Sequence, residues 1–190
     1  MEKFFNLIYR LRFAKRWGTS FNIRQESVAE HSFSVAVIAH LLALINNEIN
    51  ETHVNAEAAA VQSLYHDGFE CYTSHIVSPV KNSTPEFKKS YEELKKLYSL
   101  RLFSSLPKML KNKIENPDIA KNKKIIEIVD AADAIDAYLY CKFQVKVGNN
   151  DYKNKFQLME GKIQKIKKKY NYVNWFFENL CDFEDLEINY

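Results

Sequence analysis

Apolar residues recur at three- and four-residue spacing along nearly the whole chain, and nowhere do they alternate in twos. Phe4, Leu7, Ile8 and Leu11 stand at i, i+3, i+4 and i+7, the pattern that puts apolar side chains on one side of a helix. The same period returns from Ser27 to Asn46-Asn47, where the asparagines read as a stop, and again from Asn55 to Tyr65, with Ala58, Ala59, Val61, Leu64 and Tyr65 as a close-packed face. It resumes over 86–103, from Ile125 to Val147, and over 152–170. The chain is therefore expected to be all-α. Pro79 and Pro85 read as breakers of an irregular stretch over 71–84, and Pro107 and Pro117 as bounds of a short helix and a loop. Gly148-Asn149-Asn150 is expected to stop a helix.

With 190 residues, no repeat and no linker, the chain is expected to be a single domain, 1–190. Within it the functional core is expected over about 16–140, with C-terminal helices over about 151–190. No apolar run is expected to reach the roughly 18 residues of a membrane span. Cys71, Cys141 and Cys181 are odd in number and far apart, as reduced thiols are. With no signal-peptide pattern at Met1-Glu2-Lys3-Phe4-Phe5, this predicts a cytoplasmic protein without membrane contact. The net charge of +3 demands no nucleic acid. The lysines at 162, 165, 167, 168 and 169 read as a solvated face rather than a phosphate-backbone patch. The aromatic stretch from Trp175 to Leu180 is expected to cover the core or a second subunit.

Chemistry gathers at Tyr65-His66-Asp67-Gly68-Phe69-Glu70. An imidazole beside a carboxylate is half of a site for a first-row transition metal. If the helix continues, Glu70 shares a face with His66 and Asp67. By itself such a pair is as readily a capping histidine and a solvated acid, so further ligands decide it. Ser27-Val28-Ala29-Glu30 is a capping box, which puts His31 in the first turn of its helix. His40 lies nine residues on, about half a turn round, and is expected to be a structural or surface histidine. Asp130, Asp133 and Asp136 recur every third residue on an apolar helix, where unpaired carboxylates are costly. Alanines flank Asp133 as tight packing round a ligand would require, and a solvated stripe accounts for Asp130 or Asp136.

Taken in order, His31, His66-Asp67 and Asp133 spell H…HD…D. With Arg16-Trp17, Glu30-His31-Ser32, Glu70, Pro79-Val80-Lys81, Ala132-Asp133-Ala134 and Gly148-Asn149-Asn150, the chain resembles the HD-domain metal-dependent phosphohydrolases. Within them it is similar to the bacterial YfbR-like 5′-deoxynucleotidases, over most of residues 1–152. The resemblance implies an HD-domain helical bundle that removes the 5′-phosphate of (deoxy)ribonucleoside monophosphates. It implies one divalent transition metal (cobalt, manganese, zinc, iron or nickel) on His31, His66, Asp67 and Asp133. Such an ion activates water and polarises a phosphoryl group. The resemblance makes Glu70 the catalytic proton carrier and Arg16 the group that orients the phosphate. It makes Trp17 a substrate contact, although a core aromatic would also suit that position. It further implies a homodimer. One departure stands out: His75 replaces an aspartate of the family's substrate-binding loop, so sugar selectivity is expected to fall to His75, with Ser74 or Ser78 as alternative contacts. Two other readings stay open: an HD hydrolase of a triphosphate, cyclic dinucleotide or alarmone, and a metal-binding regulatory module without turnover.

Overall fold

The structure is a computed structural model that describes residues 2–114 and 122–182. Among these residues its regular structure is helical, with ten α-helices and two 3-10 turns and no strand beyond one isolated bridge. The expected break at Pro117 and the acidic residues after Asp182 lie outside the described residues. Two compact units form, each from two stretches of chain: 1–33 with 63–122, and 34–62 with 123–190.

In the first unit, α1 (Phe4–Tyr9) runs into a 3-10 turn (Arg10–Arg12). Both bury the expected stripe, with Leu7 and Leu11 almost fully covered. They pack with Ala14, Val28, Cys71 and Leu102. That core joins α1 to α4 (Glu70–Thr73) and α6 (Pro85–Ser104). Phe4, Tyr65 and Phe103 close it with mutual ring contacts of about 6 Å. α5 (Ser78–Lys81) packs on α6, and α7 (Lys108–Ile114) follows.

The prolines act opposite to expectation. Pro79 and Pro85 sit in the first turns of α5 and α6, where the missing N–H is no loss and the fixed φ suits a helix. The stretch 71–84 is thus two single-turn helices and their joints. On α6 the expected stripe holds at Tyr91, while Phe87 and Leu97 are exposed.

The second unit takes most of α2 (Val28–Asn50) and α3 (Ala56–Tyr65), then α8 (Lys123–Lys146), a 3-10 turn (Asn150–Tyr152), α9 (Lys153–Lys169) and α10 (Asn171–Asn179). α8 packs on α9, and α9 on α10. Tyr138 stacks on Phe156 at 5.5 Å and meets Phe177 edge-on at 5.9 Å. α2 runs a turn past Asn46-Asn47. Those asparagines do not stop it; they hold the following loop, Asn46 bonding Thr52 and Asn47 exchanging hydrogen bonds with Val54. On α3 Ala58 and Ala59 are buried as expected, but Val61 and Leu64 are each more than 40% exposed, so its packed face is narrower than its apolar content suggests. Gly148, at φ +93, ends α8: its N–H reaches Val145 O and the next N–H reaches Gln144 O, the glycine-closed helix end expected there.

The membrane expectation needs one correction. Between Glu30 and Glu48, α2 carries no charged side chain except what its histidines can acquire, and by length and composition it could cross a bilayer. More than half of its most apolar window is buried, as in a core helix, and it opens on a polar capping box.

Candidate active site

The capping box is fully formed. Ser27 N donates to Glu30 Oε2 at 2.7 Å, and Glu30 N donates to Ser27 Oγ at 3.2 Å. Burial acts to raise the Glu30 pKa but is outweighed by these Ser27 bonds and by Arg24, so it stays below the usual carboxylate value. The rigid start of α2 places His31 fully out of water.

α3 ends at Tyr65, so His66 to Phe69 form a turn rather than a helix extension. Gly68 N bonds Tyr65 O and Glu70 N bonds Asp67 O, each at 3.0 Å. A side chain at 68 would press on its surroundings: a Cβ there would lie 2.9 Å from the Leu102 side chain and 3.1 Å from Tyr65 O. The expected shared helical face of His66, Asp67 and Glu70 is thereby replaced by a tight turn.

That turn brings three expected ligands together. His66 Nδ1 lies 2.6 Å from Ser63 O. A carbonyl only accepts, so Nδ1 carries the hydrogen and Nε2 keeps its lone pair. This is the bond by which metal-binding histidines fix their tautomer. His66 Nε2 is buried without a hydrogen-bond partner and lies 3.4 Å from Asp67 Oδ2. His31 Nε2 lies 3.8 Å from the same oxygen, and the two rings are 5.2 Å apart. Two imidazole nitrogens gathered near one carboxylate oxygen are the donor types that fit a divalent transition metal.

Glu70 follows, 1% exposed. Its Oε2 accepts from His75 Nδ1 at 3.1 Å, and its Oε1 lies 3.5 Å from Lys81 Nζ. Ser74 makes the first contact possible. It takes φ +57 and ψ 178, a region otherwise left to glycine, and so turns His75 back onto Glu70. Lys81 also sits over the Tyr91 ring at 5.0 Å. Burial, with Glu70 and then Asp67 nearby, pushes the Tyr91 phenol far above its ordinary range, so it stays protonated. Ser78 is exposed at the start of α5.

Arg16 and Trp17 lie in the loop before α2. Arg16 is 6% exposed and Trp17 half-buried. Both meet Glu26, itself 6% exposed: Arg16 Nη1 lies 3.3 Å from Oε2, and Trp17 Nε1 donates to the same oxygen at 3.1 Å. Sequence reasoning missed Glu26 and gave Lys81 no role. Neither lies on a periodic face, and only the Pro79-Val80-Lys81 match signalled Lys81. In the second unit, Asp133 is half-buried on α8 between the fully buried Ala132 and Ala134. Asp130 is exposed, as a solvated acid would be; Asp136 is 7% exposed and is not one.

The family model described as "5′-deoxynucleotidase YfbR-like" matches residues 3–183. The chain belongs to the YfbR-like family. A 5′-deoxynucleotidase of Photorhabdus temperata is 34% identical over 167 residues, covering 87% of this chain and 83% of the relative. One of Pasteurella multocida is 34% identical over 157 residues, covering 80% of each. An HD-domain phosphohydrolase from Listeria innocua has the same fold, with a TM-score of 0.78 at 21% identity over 93% of this chain and 85% of the other. The YfbR-like family thus accounts for the all-α HD fold and for nearly the whole described length.

Proposed function

We propose that this YfbR-like protein hydrolyses 5′-monophosphates of deoxyribonucleosides to nucleoside and phosphate, as a single HD domain over 1–190. The observation that carries the proposal is the convergence of His31, His66 and Asp67, three residues before a buried Glu70. The relatives named as 5′-deoxynucleotidases support the substrate class. His31, His66, Asp67 and Asp133 would hold one divalent transition metal. When bound, the ion supplies Lewis acidity at the phosphoryl group.

The chain's own residues do the rest. Arg16 binds the phosphate: its planar fork matches two phosphate oxygens at once, which a lysine ammonium would not. Trp17 contacts the nucleoside. Glu70 takes the proton of the attacking water. It is held out of bulk water between His75 and Lys81, so its position is fixed before substrate arrives. The departing 5′-oxygen needs one proton returned as its bond to phosphorus breaks. With Nδ1–H given to Glu70, His75 presents Nε2 as an acceptor for a sugar hydroxyl. Ser78 is the second substrate contact of that loop. The active form is a homodimer in the cytoplasm.

A phosphate-release screen over deoxy- and ribonucleoside 5′-monophosphates, with each of several divalent metals, tests the reading. Release from 5′-monophosphates alone is expected. Preferential release from triphosphates or cyclic dinucleotides, or none with any metal, overturns it.

A further inference from the structure

The loop between α1 and α2 is built around one carboxylate. Ala14 and Val28 are joined by a backbone hydrogen bond of 2.9 Å, and Arg16 N donates to Glu26 O at 3.0 Å. Lys15 and Ser27 form an antiparallel bridge between these bonds. The ladder places the Glu26 side chain against the two residues next across it. Its Oε2 takes both the Arg16 guanidinium and the Trp17 indole N–H. Gln25 Nε2 adds a bond of 2.6 Å to Arg16 O, and Ser20 N and Asn22 Nδ2 both donate to Trp17 O. Trp17 itself is held at φ +58, in the left-handed region that bulky residues avoid. A strained residue persists only where its surroundings over-determine it.

We propose that Glu26 is the positioning residue for substrate recognition, holding Arg16 and Trp17 in register with one another through one shared carboxylate oxygen. This rests on the reading of Arg16 and Trp17 as the phosphate- and nucleoside-binding residues. The guanidinium is a planar fork of five N–H donors, and its contact with Glu26 is made through Nη1. Because both ligand-binding groups contact the same oxygen, a shift of that carboxylate reaches both. Phosphate orientation and nucleoside affinity are therefore coupled through a residue that touches neither.

The test uses Glu26→Ala and the isosteric Glu26→Gln in the full-length protein. In the Ala variant kcat/KM for a deoxynucleoside 5′-monophosphate is expected to fall about 10²-fold, the scale of a misplaced binding group, with both kcat and KM affected. The Gln variant keeps an oxygen for the indole but loses the charge for Arg16. Its kcat is expected to fall with KM little changed. In a Trp175→Phe background Trp17 is the only tryptophan, and its emission, excited beyond the tyrosine absorption band, should shift in the Ala variant and not in the Gln variant. An Arg16→Ala, Glu26→Ala double variant should be little worse than Arg16→Ala alone.

A carboxylate oxygen of Glu26 also lies within 4.8 Å of a His31 ring nitrogen, so bound metal is measured as well. Metal content should not change. Strictly additive losses, unaltered Trp17 emission in Glu26→Ala, or metal lost in Glu26→Gln each overturn the proposal. If wild type releases no phosphate from any nucleotide, the functional reading fails, and the emission of the two variants still decides whether Glu26 holds Trp17.

Discussion

Segment 66–81 keeps Glu70, His75 and Lys81 largely out of water around a single carboxylate, whereas α9 spreads Lys162, Lys165 and Lys168 over a face open to solvent. The first holds few charges and fixes each by a partner. The second holds many and leaves them to water, where screening and side-chain entropy reduce any pair to little. Counting charge therefore points to α9, and chemistry lies where charge has been removed from water and matched. α8 repeats the contrast along one helix, from exposed Asp130 through half-buried Asp133 to buried Asp136.

The largest effect should come from the acids of α8. Asp133→Ala is expected to strip the metal and reduce phosphate release to background, while Asp130→Ala leaves both intact. Metal analysis of the purified variants decides it. Full metal content in the Asp133 variant would remove Asp133 from the site, and the same assay on Asp136→Ala shows whether its burial has a different purpose.

Glu70→Gln comes next. It should keep its metal, since Glu70 is occupied by His75 and Lys81, and lose roughly 10²–10⁴-fold in kcat, the range for a lost general base. Loss of metal together with activity would make Glu70 a ligand.

A smaller, more selective change is expected at His75. His75→Asp sets a second carboxylate against Glu70, and two neighbouring carboxylates raise one another's pKa. Turnover should drop for all substrates alike, so the informative quantity is the ratio of kcat/KM for a deoxynucleotide and its ribonucleotide. That ratio should rise above the wild-type value. An unchanged ratio would show that His75 serves Glu70 alone and does not read the sugar.

The smallest effect belongs to α9. Replacing Lys162, Lys165 and Lys168 by Gln should leave kcat/KM unaltered and stability within about 0.5 kcal/mol per site, as for exposed positions generally. A marked loss of activity would mean that this face carries function and would undo the contrast drawn above.

What could be foreseen follows from which signals are periodic. Leu7, Leu11 and the alanines of α3 announce helices because burial repeats with the helical turn. Ser27 and Glu30 announce a helix start because the capping bonds span a fixed three residues. That His31, His66 and Asp67 lie together was legible through their order along the chain. Glu26 was not, because nine residues separate it from Trp17 and the link between them is a loop closure with no period. Pro79 and Pro85 were misjudged because a proline that stops one helix is equally suited to begin the next. The turn at 66–69 was taken for helix because the identity of Gly68 tells nothing of Leu102 pressing on it from α6.

Trp17 at φ +58 has an evolutionary consequence. A glycine at that position would adopt the same backbone freely, while the bulky residue costs on the order of 1–2 kcal/mol. Selection for thermal robustness alone would therefore drift toward glycine or asparagine at 17. With the indole as the proposed nucleoside contact, fitness and folding free energy pull in opposite directions at this position. In a library screened first for heat tolerance and then for turnover, position 17 should be enriched for small residues in the first round and return to tryptophan in the second.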